Sequence, residues 1–184
     1  HGHGVPQDYR EAMKWYRRAA EQEYAAAQYN LGVMYDNGKG VPQDYEEAMN
    51  LYRKAADQGL HNAQYNLGVL YAKGRGTSKD YAKAEKWFRR AAEQGNAWAQ
   101  HNLGIFYEHG MGVPQDRVLA YMWFSLTVSS GAIVGEGMRV DSVEGEKRAD
   151  VLTDIDRIAA KMSPAQIAEA QRLAREWTPK KEGK

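Results

Sequence analysis

Five histidines, a scatter of carboxylates and three nearby serines are the residues of this chain best suited to bind a metal or move a proton. His1-Gly2-His3 puts an imidazole third from the amino terminus. With a free terminus, the amine, two amides and that ring could form a square-planar Cu(II) or Ni(II) site. His101, Glu108 and His109 share one predicted helix, but His101 and Glu108 lie two turns apart, too far for one ion without a third ligand folded in. Glu46/Glu47 and Asp154/Asp156 sit among mixed charges, as on a solvated helical face. Ser125, Ser129 and Ser130 lack a lysine at the spacing that would activate a serine nucleophile. No Walker loop, dinucleotide fingerprint, Gly-x-Ser-x-Gly elbow or His-Glu-x-x-His helix occurs. With no cysteine there is no disulfide, thiolate zinc site or thiol nucleophile. The expectation is a chain with no cofactor, no metal and no catalytic set.

Charge and composition agree with a folded, soluble chain. In 184 residues, 25 Lys and Arg face 24 Asp and Glu, a net charge of +1. That balance gives no general reason to expect nucleic acid or an anionic membrane as partner. The 12 tyrosines and 5 tryptophans are more than a disordered chain would carry. No apolar run approaches the roughly 18 residues of a membrane span, and no signal peptide opens the chain.

The elements that must position these residues repeat. Gly-x-Gly recurs at Gly2/Gly4, Gly38/Gly40, Gly74/Gly76 and Gly110/Gly112, a period of 36, and Val-Pro-Gln-Asp stands whole at 5–8, 41–44 and 113–116. Residues 2–37 match 38–73 at 23 of 36 positions. Each period reads as two short helices. The first, about Asn62–Lys73, carries Ala63, Leu67, Leu70 and Tyr71 at helical spacing, and Gly74 stops it. The second starts at Asp44 as N-cap, with Glu47 three residues on as in a capping box. Asp8 and Glu11 repeat that pattern, whereas Asp80 and Asp116 lack the acid. Ala48, Leu51, Tyr52 and Ala55 form its buried stripe, and Gly59 ends it. A Gly-x-Gly turn without Lys-Ser/Thr is a helix–helix connection, not a phosphate cradle.

Ala-x-x-Asn-Leu-Gly-x-x-Tyr, then Gly-x-Gly-Val-x-x-Asp, then Ala-x-x-Trp/Leu-Tyr/Phe-x-x-Ala-Ala-x-x-Gly resembles the Sel-one-like repeat family, a branch of the tetratricopeptide-like α-solenoids. Gln28, Gln64 and Gln100 stand where tetratricopeptide repeats carry tryptophan. The resemblance implies an all-α fold, a right-handed solenoid of antiparallel helix pairs, over residues 2–131, with loops at 38–44, 74–80 and 110–116. It also implies an adaptor that binds a protein or peptide, of bacterial type through its C-terminal helices. An upstream signal, if one was removed, would place it in the periplasm or outside the cell. Some family members are linked to penicillin, so a cell-wall enzyme is a rival reading, although no nucleophile–base–oxyanion set is present.

The pattern breaks at both ends. The helix at about Tyr9–Gln22 has no preceding partner in this sequence, so Trp15 or Tyr16 should be more exposed than Trp87 or Phe88. This is either a processed end or an edge that stacks on another chain, and the latter motivates self-association as a second reading. Residues 132–145 read as a loop. Capping helices follow over 146–178: one near Glu146 with Leu152, Ile155, Ala159 and Met162 on one face, and one opened by Ser163-Pro164-Ala165-Gln166. The latter carries Ile167, Ala170, Leu173, Ala174 and Trp177. Residues 179–184 read as a frayed tail.

Gln28/Gln64/Gln100, Asn30/Asn66/Asn102, Leu31/Leu67/Leu103, Gly32/Gly68/Gly104 and Tyr35/Tyr71/Tyr107 recur in all three copies and read as architecture. In the family the first helix of each pair lines the concave side. Counting from Leu-Gly, the partner-binding face is expected at Tyr29, Val33, Asp36, Asn62, Tyr65, Val69, Lys73, Trp98, His101, Ile105, Glu108 and His109. Tyr29, Tyr65 and Trp98 would be its rigid anchors. Asn62 and Lys73 could hold a ligand backbone or carboxylate, and Asp36 and Glu108 would disfavour acidic side chains. The alternative is that the rings pack on the next helix.

Overall fold

The computed structural model describes residues 8–129 and 151–180. Among them are nine helices and no strand. The chain divides into two compact units, residues 1–79 and 80–184. The expected copper site at His1–His3, the loop at 132–145, Ser130 and the helix start near Glu146 lie outside the described residues.

The first unit holds α1 (Tyr9–Glu21), α2 (Ala25–Asn37), α3 (Tyr45–Asp57) and α4 (His61–Lys73). Asp8 and Asp44 cap α1 and α3, each Oδ1 accepting two first-turn N–H groups. The expected capping box at Asp44 does not close. The Asp44 N–H donates to the Tyr35 carbonyl at 3.0 Å, so Glu47 has no orphan donor to satisfy. Gly38 ends α2 in the left-handed region, φ +65°. The second glycine of the motif has a different task. A Cβ on Gly76 would sit 2.6 Å from the Tyr45 carbonyl oxygen, so only glycine lets this turn lie against the start of α3.

Met13, Leu31, Met34 and Leu51 form one core cluster of this unit. Its helices are keyed by bonds that recur with the period. The Gln28 and Gln64 amides donate to the carbonyls of Ala20 and Ala56, eight residues back. Arg17 and Arg53 donate to the hydroxyls of Tyr35 and Tyr71. Those invariant side chains are therefore architectural, as their repetition predicts. Gly32 lies against Tyr52, with a Cβ placed 2.8 Å from the ring, so α2 and α3 touch where side chain is missing.

The second unit holds α5 (Tyr81–Glu93), α6 (Ala97–His109), α7 (Arg117–Ser129), α8 (Val151–Ala159) and α9 (Pro164–Glu176). The same keys return: Gln100 to the Ala92 carbonyl, and Arg89 to the Tyr107 hydroxyl. Phe88, Leu103, Phe106, Phe124 and Ile158 are fully buried. Ser163, Pro164 and Gln166 start α9 through a complete capping box, and Trp177 meets Trp123 edge-on at 6.2 Å.

Two C-terminal expectations need correction. The buried stripe of α8 is Val151, Asp154 and Ile158, whereas Leu152 is among the exposed large hydrophobics. The tail is tied down as far as Lys180, whose N–H donates to the Glu93 carbonyl at 2.7 Å and whose ammonium lies 3.1 Å from the Glu93 carboxylate.

Candidate functional site

The expected binding face belongs to the first helix of each pair: α2, α4 and α6. A 13-residue helix presents Leu-Gly to its neighbours, and positions two and five residues from that landmark turn partly outward. Val33, Val69 and Ile105 occupy the same position in the three helices and are only half-buried. Asn62 and His109 are exposed; Tyr65, Lys73 and Trp98 are half-buried. Each of these helices thus keeps part of its expected face accessible.

Tyr29 and Asp36 face a neighbour instead. The Tyr52 hydroxyl, fully buried, donates to Asp36 Oδ2 at 3.1 Å. The Tyr29 ring lies 5.8 Å from that of Tyr52, and its hydroxyl is bonded to the Asn66 side chain. Burial, and next the Asp36 charge, push the Tyr52 hydroxyl far above the usual phenol range. Burial likewise raises Tyr29. For Tyr29 the alternative reading therefore holds: the ring packs on the next helices.

His101 and Glu108 are misplaced by the sequence reading. The outward-facing positions counted there are covered by α8. His101 is 0% exposed, its Nε2 2.9 Å from Asp154 Oδ2. Buried Glu108 receives a fork from Arg157, Nε to Oε1 at 3.0 Å and Nη2 to Oε2 at 2.6 Å. Arg157 also reaches Asp154 at 2.6 Å, and Lys161 stands 3.7 Å from Glu108. The bonds to Glu108, with the two carboxylate charges, hold the Arg157 guanidinium above its ordinary value. The physical reason is charge matching: the polar stripe of α8 complements α6 where an apolar stripe would leave two polar groups unpaired.

Sequence reasoning placed Asp154 on a solvated face, whereas it is buried against His101, and missed Arg157. The signal available was their i, i+3 spacing on a short helix, outweighed by the more hydrophobic Leu152 and Ile155. His101 and Asp154 stand to each other as Tyr29 and Asn66 do, so α8 serves α6 as α4 serves α2 in the first unit. This engagement removes His101 and Glu108 from any metal set with His109. No group of three His, Cys, Asp or Glu suited to a metal occurs among the described residues. The Ser129 hydroxyl donates to the Ser125 carbonyl, a helix-surface bond without a base.

A family model described as Sel1 repeat matches residues 1–24, 25–60, 61–96 and 99–131. Solved structures share the fold, two of them as follows. One is a protective antigen present in uropathogenic Escherichia coli strains displaying an SLR fold, 50% identical over 68% of this chain and 27% of that one, TM-score 0.67. The other is a Sel1 repeat protein from Oxalobacter formigenes, 28% identical over 95% of this chain and 82% of that one, also TM-score 0.67. This chain thus spans about a quarter of the antigen's length. No curated protein matches it.

Proposed function

The chain belongs to the Sel1 repeat family, whose helical repeats commonly serve protein–protein contact, and from that premise we propose that it is a non-enzymatic adaptor holding a peptide or protein segment on its first-helix face. The observation that carries this reading is the half-buried apolar position repeated at Val33, Val69 and Ile105. Tyr65 and the polar Asn62 and Lys73 share α4 with it, and Trp98 and His109 share α6. A few rigid rings and branched apolar groups amid adaptable polar ones suit a segment whose affinity comes from few anchors. Tyr29, Asp36, His101 and Glu108 contribute through the scaffold, not through ligand contact.

Changing Tyr65 and Trp98 together to Ala is expected to abolish partner capture from source-organism lysate while circular dichroism stays near wild type. Capture that survives would move the partner to another surface. No helix among the described residues is long and apolar enough to cross a membrane, and the likeness to a protective antigen of a bacterium supports an exported location, which cell fractionation tests.

One observation favours a second reading. Trp15 is 59% exposed on α1, whereas at the equivalent positions Trp87 is half-buried and Leu51 and Trp123 are 5% and 4% exposed. Self-association through this ring predicts a mass that rises with concentration in sedimentation and returns to monomer in Trp15→Ser. A strict monomer at all concentrations removes it.

A further inference from the structure

We propose that the outer face of α5 is a docking site for an acidic segment of a protein partner, separate from the first-helix face. The charges of α5 are placed against the helix's own interest. The positive pole of a helix N-terminus favours an acid in the first turn, and Glu11 in α1 and Glu46 and Glu47 in α3 supply it. The first turn of α5 has none and carries Lys83. Lys83, Lys86 and Arg90 then follow at spacings of three and four, a row of like charges that disfavours a helix.

The acids that α5 does possess are already engaged. Glu85, nearly buried, accepts both Nε and Nη2 of Arg89, and Glu93 holds Lys180. Lys83 reaches Asp80 at 3.2 Å. Lys86 and Arg90 have no carboxylate partner among the described residues. Trp87 stands between them, half-buried, with the Arg90 guanidinium 4.7 Å from its ring centroid. With Lys83, Glu85 and Arg89 they line a depression of about 350 Å³.

The chemistry of this face selects its occupant. Lys86 and Arg90 lie one turn apart, roughly 6 Å along the axis. Carboxylates one turn apart on a helix, or two residues apart on a strand, match that spacing. An apolar side chain beside them would lie on the Trp87–Arg90 stack. One helix with three accessible cations, on a chain of net charge +1, is too little for a phosphate backbone. The opposite side of α5, with Ala84, Phe88 and Ala91, is buried in the core, so there is no apolar face to enter a bilayer.

Internal repetition supplies a control. At the corresponding places α3 carries Asn50, Leu51 and Lys54, which makes it the control; α1 repeats the set with Lys14, Trp15 and Arg18, its lysine 3.0 Å from Glu11. The test is fluorescence anisotropy of the full chain with a labelled peptide of Glu-Glu-Leu repeats and its Gln-Gln-Leu counterpart. Binding of the acidic peptide is expected to weaken at least about tenfold in K86E/R90E and to fall clearly in K86Q/R90Q. Lys54→Glu, and the Tyr65→Ala/Trp98→Ala variant, should bind it as the parent does, which keeps this site distinct from the first-helix face. The proposal is overturned by no binding of the acidic peptide or by equal binding of the Gln peptide. Unchanged binding in both α5 variants, or preference for phosphatidylserine vesicles or duplex DNA over the peptide, overturns it equally.

Discussion

The same structural step is closed in two ways in the two units. In the first, Tyr29 on α2 bonds Asn66 on α4, and Asp36 accepts from the Tyr52 hydroxyl. In the second, His101 on α6 meets Asp154 on α8, and Glu108 takes the Arg157 fork. The acid is common to both and its partner is not: a neutral phenol within the repeat, a guanidinium from outside it. The middle copy has Ala72 at the position of the acid and Phe88 at that of Tyr52. The closure through a neutral phenol precedes another repeat, and the charged closure is made by α8.

The sharpest way to break the contrast is Arg157→Met. Two buried carboxylates, Asp154 and Glu108, then lose their shared cation, leaving Lys161 and His101 beside them. The expected loss is about 2–3 kcal/mol, below the usual range for a buried pair because the Arg157 side chain is 42% exposed and water screens it. Opening should begin at α8 and α9, so hydrogen exchange there and Trp123–Trp177 fluorescence should respond before α5 does. A melting temperature equal to the parent's would mean that α8 rests on Val151 and Ile158 alone.

What was legible in the sequence is what repeats. Helix ends, turns and the Gln, Gly and Tyr keys recur at fixed spacing, and each copy confirms the others. His101, Glu108, Asp154 and Arg157 occur once, joined across 49 and 53 residues. Hydropathy also favours the wrong stripe on α8, since Asp154 is buried there between Val151 and Ile158 while Leu152 is exposed. The role of the second glycine in Gly-x-Gly was hidden for a related reason: it packs on the start of an earlier helix, and local turn chemistry carries no record of that approach.

A second prediction compares the two helix contacts made through glycine. A Cβ on Gly104 would lie 2.4 Å from the Phe124 ring, against 2.8 Å from Tyr52 for Gly32. Phe124 also packs on His101, 5.5 Å between ring centroids, so its retreat disturbs the charged closure as well. Gly104→Ala should therefore cost about 2 kcal/mol and Gly32→Ala less, measured as denaturant midpoints at constant slope. The reverse order would show that the Phe124 ring moves freely and that α8 adapts to it.

The smallest effect isolates the neutral closure. Tyr52→Phe keeps the ring that Phe88 and Phe124 already use at this position and removes only the hydroxyl that bonds Asp36 and Asn66. The cost should be about 1 kcal/mol, and smaller when Asp36 is already Ala, because part of the loss belongs to the hydroxyl–carboxylate pair. Alkaline titration gives an independent reading. Burial and the Asp36 charge raise the folded-state value of Tyr52, so the protonated hydroxyl belongs to the native state. That contribution is whole below the unfolded phenol value of about 10 and is lost as pH rises beyond it, at up to about 1.4 kcal/mol per pH unit. Tyr52→Phe removes one such proton, so its stability should fall less steeply above that pH than the parent's. Parallel curves would place the Tyr52 hydroxyl in contact with solvent and detach it from Asp36.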